Sequence, residues 1–336
     1  MRRTASRVLV ALLVAVPAAA AAPAYAADDA DVVCRITDER LAEISGITWS
    51  AKHDGVWWVH ADSGNGPYVY ALDGVTCDVL ARVRVSNIDA RDLEAIGTGV
   101  DPQGREVLWL ADIGDNRDSW PEVRLHAILE PSELVDQQVR ATTYRFTFPD
   151  QPHNAEAILV SPTSAEVWVV TKQLARGAVY RVPLSTTGVA TAKRVGEVGG
   201  LVTDAAMAPD ASRFVIRDYF SAKLFAAPVS AASLKAGTPL ALPDQPQGEA
   251  ISFTRDGSAL VVASEGDGRL LRVPVEASSS PAPTASASSA DPSPSATTSP
   301  VEPADDGPGA LRIGLAALAV LLAGAGVVVA SRRMRH

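Results

Sequence analysis

The run Glu156-Ala157-Ile158-Leu159-Val160-Ser161-Pro162-Thr163-Ser164-Ala165-Glu166-Val167-Trp168-Val169-Val170, continued by Val179-Tyr180-Arg181-Val182-Pro183, decides the fold. It reads as an acid opening a short apolar strand, a polar turn, a strongly apolar strand, a loop and a third strand. The acid motif recurs as Glu43-Ile44-Ser45-Gly46-Ile47, Glu94-Ala95-Ile96, Asp204-Ala205-Ala206-Met207 and Glu249-Ala250-Ile251, so that five copies follow one another at spacings of 51, 62, 48 and 45 residues. Each copy leads into an apolar strand such as Val56-Trp57-Trp58-Val59, Val107-Leu108-Trp109-Leu110 or Leu260-Val261-Val262. A repeat of about 40–50 residues with four strands is a β-propeller blade, whereas a solenoid would show helices or shorter periods. The chain is therefore read as an all-β, five-bladed propeller, with six blades open if the long second unit holds another.

The fifth unit ends at Val275 without an outer strand, and Val32-Val33-Cys34-Arg35-Ile36 stands alone before the first unit. The lone strand is expected to complete the fifth blade and close the ring, which removes open sheet edges. Closure would bring Cys34 to Cys77, near the edge of the first blade. A disulfide between them persists outside the cytoplasm and contributes about 3–4 kcal/mol.

Outside the repeat the composition changes. The 336 residues carry a net charge of −9, and the two acid-free ends hold seven arginines, so residues 28–311 carry −16. So acidic a body excludes nucleic acid as partner, and two cysteines exclude a four-thiolate metal site. Residues 1–26 read as a secretory signal: Arg2, Arg3 and Arg7, the apolar run Val8 to Val16, then Ala24-Tyr25-Ala26 as cleavage site. The propeller ectodomain takes 27–276. Residues 277–308 are almost all Ser, Ala, Pro and Thr and read as a flexible stalk. Within 309–331 the uncharged run Ile313 to Ala330 is long enough for one transmembrane helix. The basic tail 332–336 sets its end in the cytoplasm. The expectation is a single-pass protein of the cell membrane with the propeller extracellular.

In a propeller the innermost strand of each blade lines the central channel. The acid opens that strand, so Glu43, Glu94, Glu156, Asp204 and Glu249 are expected to ring one mouth. The second strand returns to the same mouth, and alignment of the apolar strands puts Asp62, Asp112, Lys172, Asp218 and Glu265 at its end. Nine carboxylates crowded at low dielectric repel one another strongly, so they must be protonated, bound by backbone donors, paired with a base or neutralised by metal. An all-oxygen ligand set suits a hard cation such as Ca2+, with Asn65, Asp115 and Asn116 able to add ligands. Backbone N–H groups that brace the blades would satisfy the same carboxylates, and both readings stand. Lys172, Arg91 and Arg217 are placed near the mouth, to pair with the acids or to hold an anion beside a cation.

Asp92-Leu93-Glu94-Ala95-Ile96 resembles the Asp-x-Glu-Gly/Ala-Ile motif of secreted phytase-like (esterase-like) propellers, with echoes at Glu156-Ala157-Ile158 and Glu249-Ala250-Ile251. The resemblance spans roughly residues 40–275 and implies a propeller with Ca2+-dependent phosphoester hydrolysis. A phosphate site of that kind uses several basic side chains, and this chain has five lysines in all. It has no Gly-x-Ser-x-Gly elbow and no His-Glu-x-x-His pair. Two functions follow. One is a cell-surface binding or scaffold module with a divalent-cation site at the channel mouth, whose partners are the membrane, through the C-terminal helix, and an extracellular ligand or substrate. The alternative is a Ca2+-dependent phytase-like or esterase-like hydrolase. The sequence leaves open whether the chain is an enzyme and how it oligomerises.

Overall fold

The computed structural model describes residues 32–62 and 66–275. The signal, stalk, helix and tail expected from the sequence, and Asn65, lie outside the described residues. Within them the chain forms five sheets, each built on four antiparallel strands. Blade 1 is β2 (Ile44–Trp49), β3 (Val56–Ala61), β4 (Tyr68–Asp73) and β5 (Val79–Val85). Blade 2 is β6 (Leu93–Val100), β7 (Glu106–Asp112), β8 (Val123–Leu129) and β10 (Ala141–Thr147). Blade 3 is β11 (Ala155–Val160), β12 (Val167–Thr171), β13 (Arg176–Val182) and β15 (Lys193–Gly199). Blade 4 is β16 (Val202–Met207), β17 (Arg213–Asp218), β18 (Ala222–Ala226) and β19 (Thr238–Leu240). Blade 5 is β20 (Gly248–Phe253), β21 (Ala259–Ser264) and β22 (Arg269–Pro274), completed by β1 (Val32–Arg35). Each innermost strand packs on the innermost strands of both neighbouring blades, and β20 meets β2, so the ring closes.

The count is five. The length that left a sixth blade open in the second unit goes instead to β9 (Gln137–Val139), which runs back to pair in parallel with β5 on the edge of blade 1. In the same way β14 (Val189–Thr191) pairs in parallel with β10 of blade 2. Both loops cover an edge that would otherwise present unpaired backbone groups.

The core is five interlayers rather than one centre. Each apolar cluster joins two neighbouring blades: Trp58, Val69, Leu108 and Leu110 between blades 1 and 2, for example, and Trp109, Phe146, Val169 and Tyr180 between blades 2 and 3. A blade's inner strands are thus covered on both faces. That is why β3, β12 and β21 are buried at every residue and read as continuous apolar runs instead of alternating ones. Near the axis small residues are needed: a Cβ on Gly97 would come within 2.8 Å of the Val160 side chain.

Cys34 and Cys77 form a disulfide with Cα atoms 5.6 Å apart. It ties the strand that completes blade 5 to the β4–β5 turn of blade 1, at the seam where the ring closes.

Candidate functional site at the channel mouth

All five innermost strands carry a β-bulge against the second strand at the same level. The extra residue is Ser45 in blade 1, Glu94 in blade 2, Glu156 in blade 3, Thr203 in blade 4 and Glu249 in blade 5. A bulge re-aims its side chain, and here Glu94, Glu156 and Glu249 line a well of about 160 Å³ on the axis. Residues after the second strands line it too: Asp62, Lys172, Tyr219 and Glu265. Glu43, Asp92 and Gln247, two residues before a bulge, and Asn116 complete the wall.

The expected rings are therefore correct in part. Glu43, Glu94, Glu156, Glu249, Asp62, Glu265 and Lys172 do share the well. Asp204, Asp112, Asp218, Arg91 and Arg217 do not line it. The reason is register. The structural equivalent of Glu94 in blade 4 is Thr203, and Asp204 is one residue later. Likewise Leu93 pairs with Asp112 and Val202 with Asp218, where Ile44 pairs with Ala61 and Ala155 with Thr171. Asp62 and Lys172 therefore correspond to Ile113 and Tyr219, one residue beyond the acids the alignment had chosen. A one-residue slip turns a strand side chain to the other face.

The misplaced residues brace the site. Asp204, 1% exposed, accepts the N–H of Ala205 at 2.8 Å and of Ile251 at 2.8 Å, bonding blade 4 to blade 5. Arg217, 1% exposed, donates to the Ala250 carbonyl at 3.0 Å and to Gln245 at 3.0 Å. Burial pushes its guanidinium down to about 10. Asp112 accepts the N–H groups of Arg91 at 2.9 Å and Asp92 at 2.8 Å, so it holds the segment that delivers Asp92 to the well. Burial works against its charge, yet the neighbouring His126 and those two N–H groups keep its carboxyl below the usual range. Arg91 donates to the Glu122 carbonyl at 2.9 Å and lies 3.5 Å from the centre of the Trp120 ring. Asp218 accepts from the N–H groups of Phe220 and Ser221 at 2.8 and 2.7 Å and shapes the turn that presents Tyr219. Asp115 organises its own loop through the N–H groups of Ser119 and Trp120.

Inside the well the carboxylates differ in company. Glu156 is held by the Lys172 ammonium at 2.8 Å and by the Asn154 amide at 3.1 Å. Lys172 lies 4.8 Å from the centre of the Tyr219 ring. Burial opposes its charge, but Glu156 more than offsets this and raises its pKa. The Gln247 amide bridges Glu249, at 2.9 Å, and Glu265. Burial pushes Glu249 up to about 7 and raises Glu265 as well, the latter with Glu43 and Asp62 adding to the effect. Glu94 is 6% exposed, and no donor reaches its carboxylate among the described residues. Burial, then Glu156, Asp92 and Asp62, push its pKa well above the usual range.

Oxygens of Asp62, Asp92 and Glu94 lie within 4.8 Å of one another. The close approach depends on Gly114, whose absent Cβ would sit 2.3 Å from an oxygen of Asp92 and 2.3 Å from one of Glu94. A buried, donorless carboxylate beside two others fits a hard cation, which takes carboxylate oxygens in flexible number. Asp92 was within reach of sequence reasoning, since it stands in the same motif as Glu94. Tyr219, Gln247 and Ser45 carry no such mark; only the common bulge reveals their equivalence.

No family model matches the chain, and no curated protein is similar to it at significance. Among solved structures, a chain of the mitotic checkpoint complex is 12% identical with a TM-score of 0.37, over 69% of this chain and 63% of that one. A gluconolactonase of Xanthomonas campestris, described as important in glucose secondary metabolism, is 18% identical with a TM-score of 0.42, over 76% of this chain and 89% of that one. The present chain thus spans less than two thirds of the first. Likeness at this level says nothing of chemistry.

Proposed function

We propose that the chain is a membrane-anchored, cell-surface propeller that acts as a binding or scaffold module, with a divalent cation, Ca2+, held in the mouth well by Asp62, Asp92 and Glu94. The signal and apolar C-terminal run of the sequence support the placement. The observation that carries the cation is Glu94: a carboxylate 6% exposed, without a donor among the described residues, close to two further acids. Burial and the charges of Glu156, Asp92 and Asp62 all oppose the ionised form of Glu94, and a cation would offset that repulsion. The motif Asp92-Leu93-Glu94-Ala95-Ile96, both of whose acids reach the well, supports kinship with phytase-like (esterase-like) propellers.

A second reading is a Ca2+-dependent phytase-like or esterase-like hydrolase. Lys172 lies against Tyr219 over the same well, and its ammonium would offset negative charge that develops on a substrate beside a cation that activates water. The two separate in one experiment on the purified full chain in detergent. Ca2+ at a hundred times its Kd should raise the melting temperature by about 5–10 °C. The binding module gives this shift with no turnover of p-nitrophenyl phosphate or p-nitrophenyl acetate. Ca2+-dependent turnover abolished in Lys172→Met would establish the hydrolase. An unchanged shift in Glu94→Gln would remove the cation from the account.

A further inference from the structure

The cation occupies one side of the well, and the chemistry of the remainder selects what can join it; this inference rests on the cation reading. Next to Asp62, on the adjoining blade 5, stand Glu249 and Glu265, each giving one oxygen to Gln247. Among the described residues the carboxylates of the lining outnumber the donors, which are Lys172, Tyr219, Asn116, Gln247 and Ser45. The Lys172 ammonium is engaged by Glu156 at 2.8 Å, and the Ser45 hydroxyl by the Glu94 carbonyl at 3.1 Å. Beside the well Tyr219 is followed by Phe220, which is 79% exposed, with ring centroids 6.1 Å apart.

Three ligand chemistries can be compared. An anion can ligate the cation, but it brings no proton for Glu249 or Glu265 and is repelled by both. An ammonium can donate to those carboxylates, but it cannot ligate the cation and is repelled by it. An alcohol does both, since its oxygen lone pair ligates while its O–H donates to a carboxylate. Ca2+ takes six to eight oxygens, so three carboxylates leave positions to fill.

We infer that the well takes a neutral vicinal-diol ligand, a carbohydrate or other polyol. Its hydroxyls bridge the cation at Asp62, Asp92 and Glu94 to the carboxylates of Glu249 and Glu265, and its C–H face rests on Phe220. Calorimetry on the full chain in sugar-free detergent tests this. CaCl2 alone is titrated first; without a binding heat the cation reading falls, and this inference with it. With Ca2+ bound, myo-inositol, D-glucose and xylitol are compared with myo-inositol hexakisphosphate and 1,4-diaminobutane. At least one neutral polyol should bind, about tenfold more weakly in EDTA and about tenfold more weakly in Glu249→Gln, which lacks one charged acceptor. Phe220→Ser alters an exposed side chain that the fold does not use, and should weaken the polyol while leaving Ca2+ affinity unchanged. Ca2+ binding with no polyol binding, or with the hexakisphosphate or the diamine preferred, would overturn the inference.

Discussion

Glu94 and Asp204 are both carboxylates at the start of an innermost strand, and both are buried, at 6% and 1% exposure. Their fates differ by one residue of register. Glu94 is the bulged residue of blade 2 and faces the well, with no donor on its carboxylate among the described residues. Asp204 follows the bulge of blade 4, turns into the blade interface and accepts two backbone N–H groups. Burial raises both pKa values; for Asp204 the two N–H groups and Arg217 pull back against it, while for Glu94 the neighbouring acids add to it. The comparison separates an acid that holds blades together from one that faces the open well.

The largest expected effect lies on the braced side. Asp204→Ala would leave the Ile251 N–H unpaired and Arg217 without its nearby charge, lowering the unfolding free energy by about 3 kcal/mol in chemical denaturation. Ca2+ affinity should stay within about twofold. A large loss of Ca2+ affinity with intact stability would merge the two classes of acid and break the comparison.

The well side should respond to pH. Glu249 is pushed up to about 7 from its ordinary 4.5. Between those values the folded chain holds a proton that the unfolded chain has released. Stability in EDTA therefore falls as pH rises through this window and is level above it. From pH 5 to pH 8 the loss should be about 2 kcal/mol, read as a lower melting temperature. Ca2+ should restore it at pH 8. A melting temperature that rises over the same interval in EDTA would contradict the placement of these acids.

The smallest effect on the apo fold comes from Glu94→Gln. Exchange of a crowded, donorless acid for a neutral amide should leave stability in EDTA unchanged or raised by about 1 kcal/mol, and should abolish the Ca2+ response. Lost stability in EDTA would show Glu94 to be a brace after all.

Much of the fold is legible in the chain because strands buried on both faces announce themselves. Val167-Trp168-Val169-Val170 and its counterparts mark second strands without ambiguity, and the orphan strand at Val32 points to closure, which the Cys34–Cys77 disulfide bears out. The five blades read from the repeat are those of the structure, and the alternative of six falls because β9 takes residues of the second unit to the edge of the first. The site was legible only to within one residue. Composition shows that acids recur, but which face each presents depends on a bulge, and the bulge leaves no signature in residue type: serine, glutamate and threonine all occupy it. So Glu94, Glu156 and Glu249 were found, Asp112 and Asp218 were placed on the wrong face, and Tyr219 and Gln247 were missed.

The most direct test of the cation site is crystallographic. Crystals grown with CaCl2, with anomalous data recorded at long wavelength, should show one peak in the mouth well bonded to carboxylate oxygens of Asp62, Asp92 and Glu94, and none there in Glu94→Gln crystals grown alike. A well without a peak at saturating Ca2+, or a peak untouched by the substitution, would contradict the account.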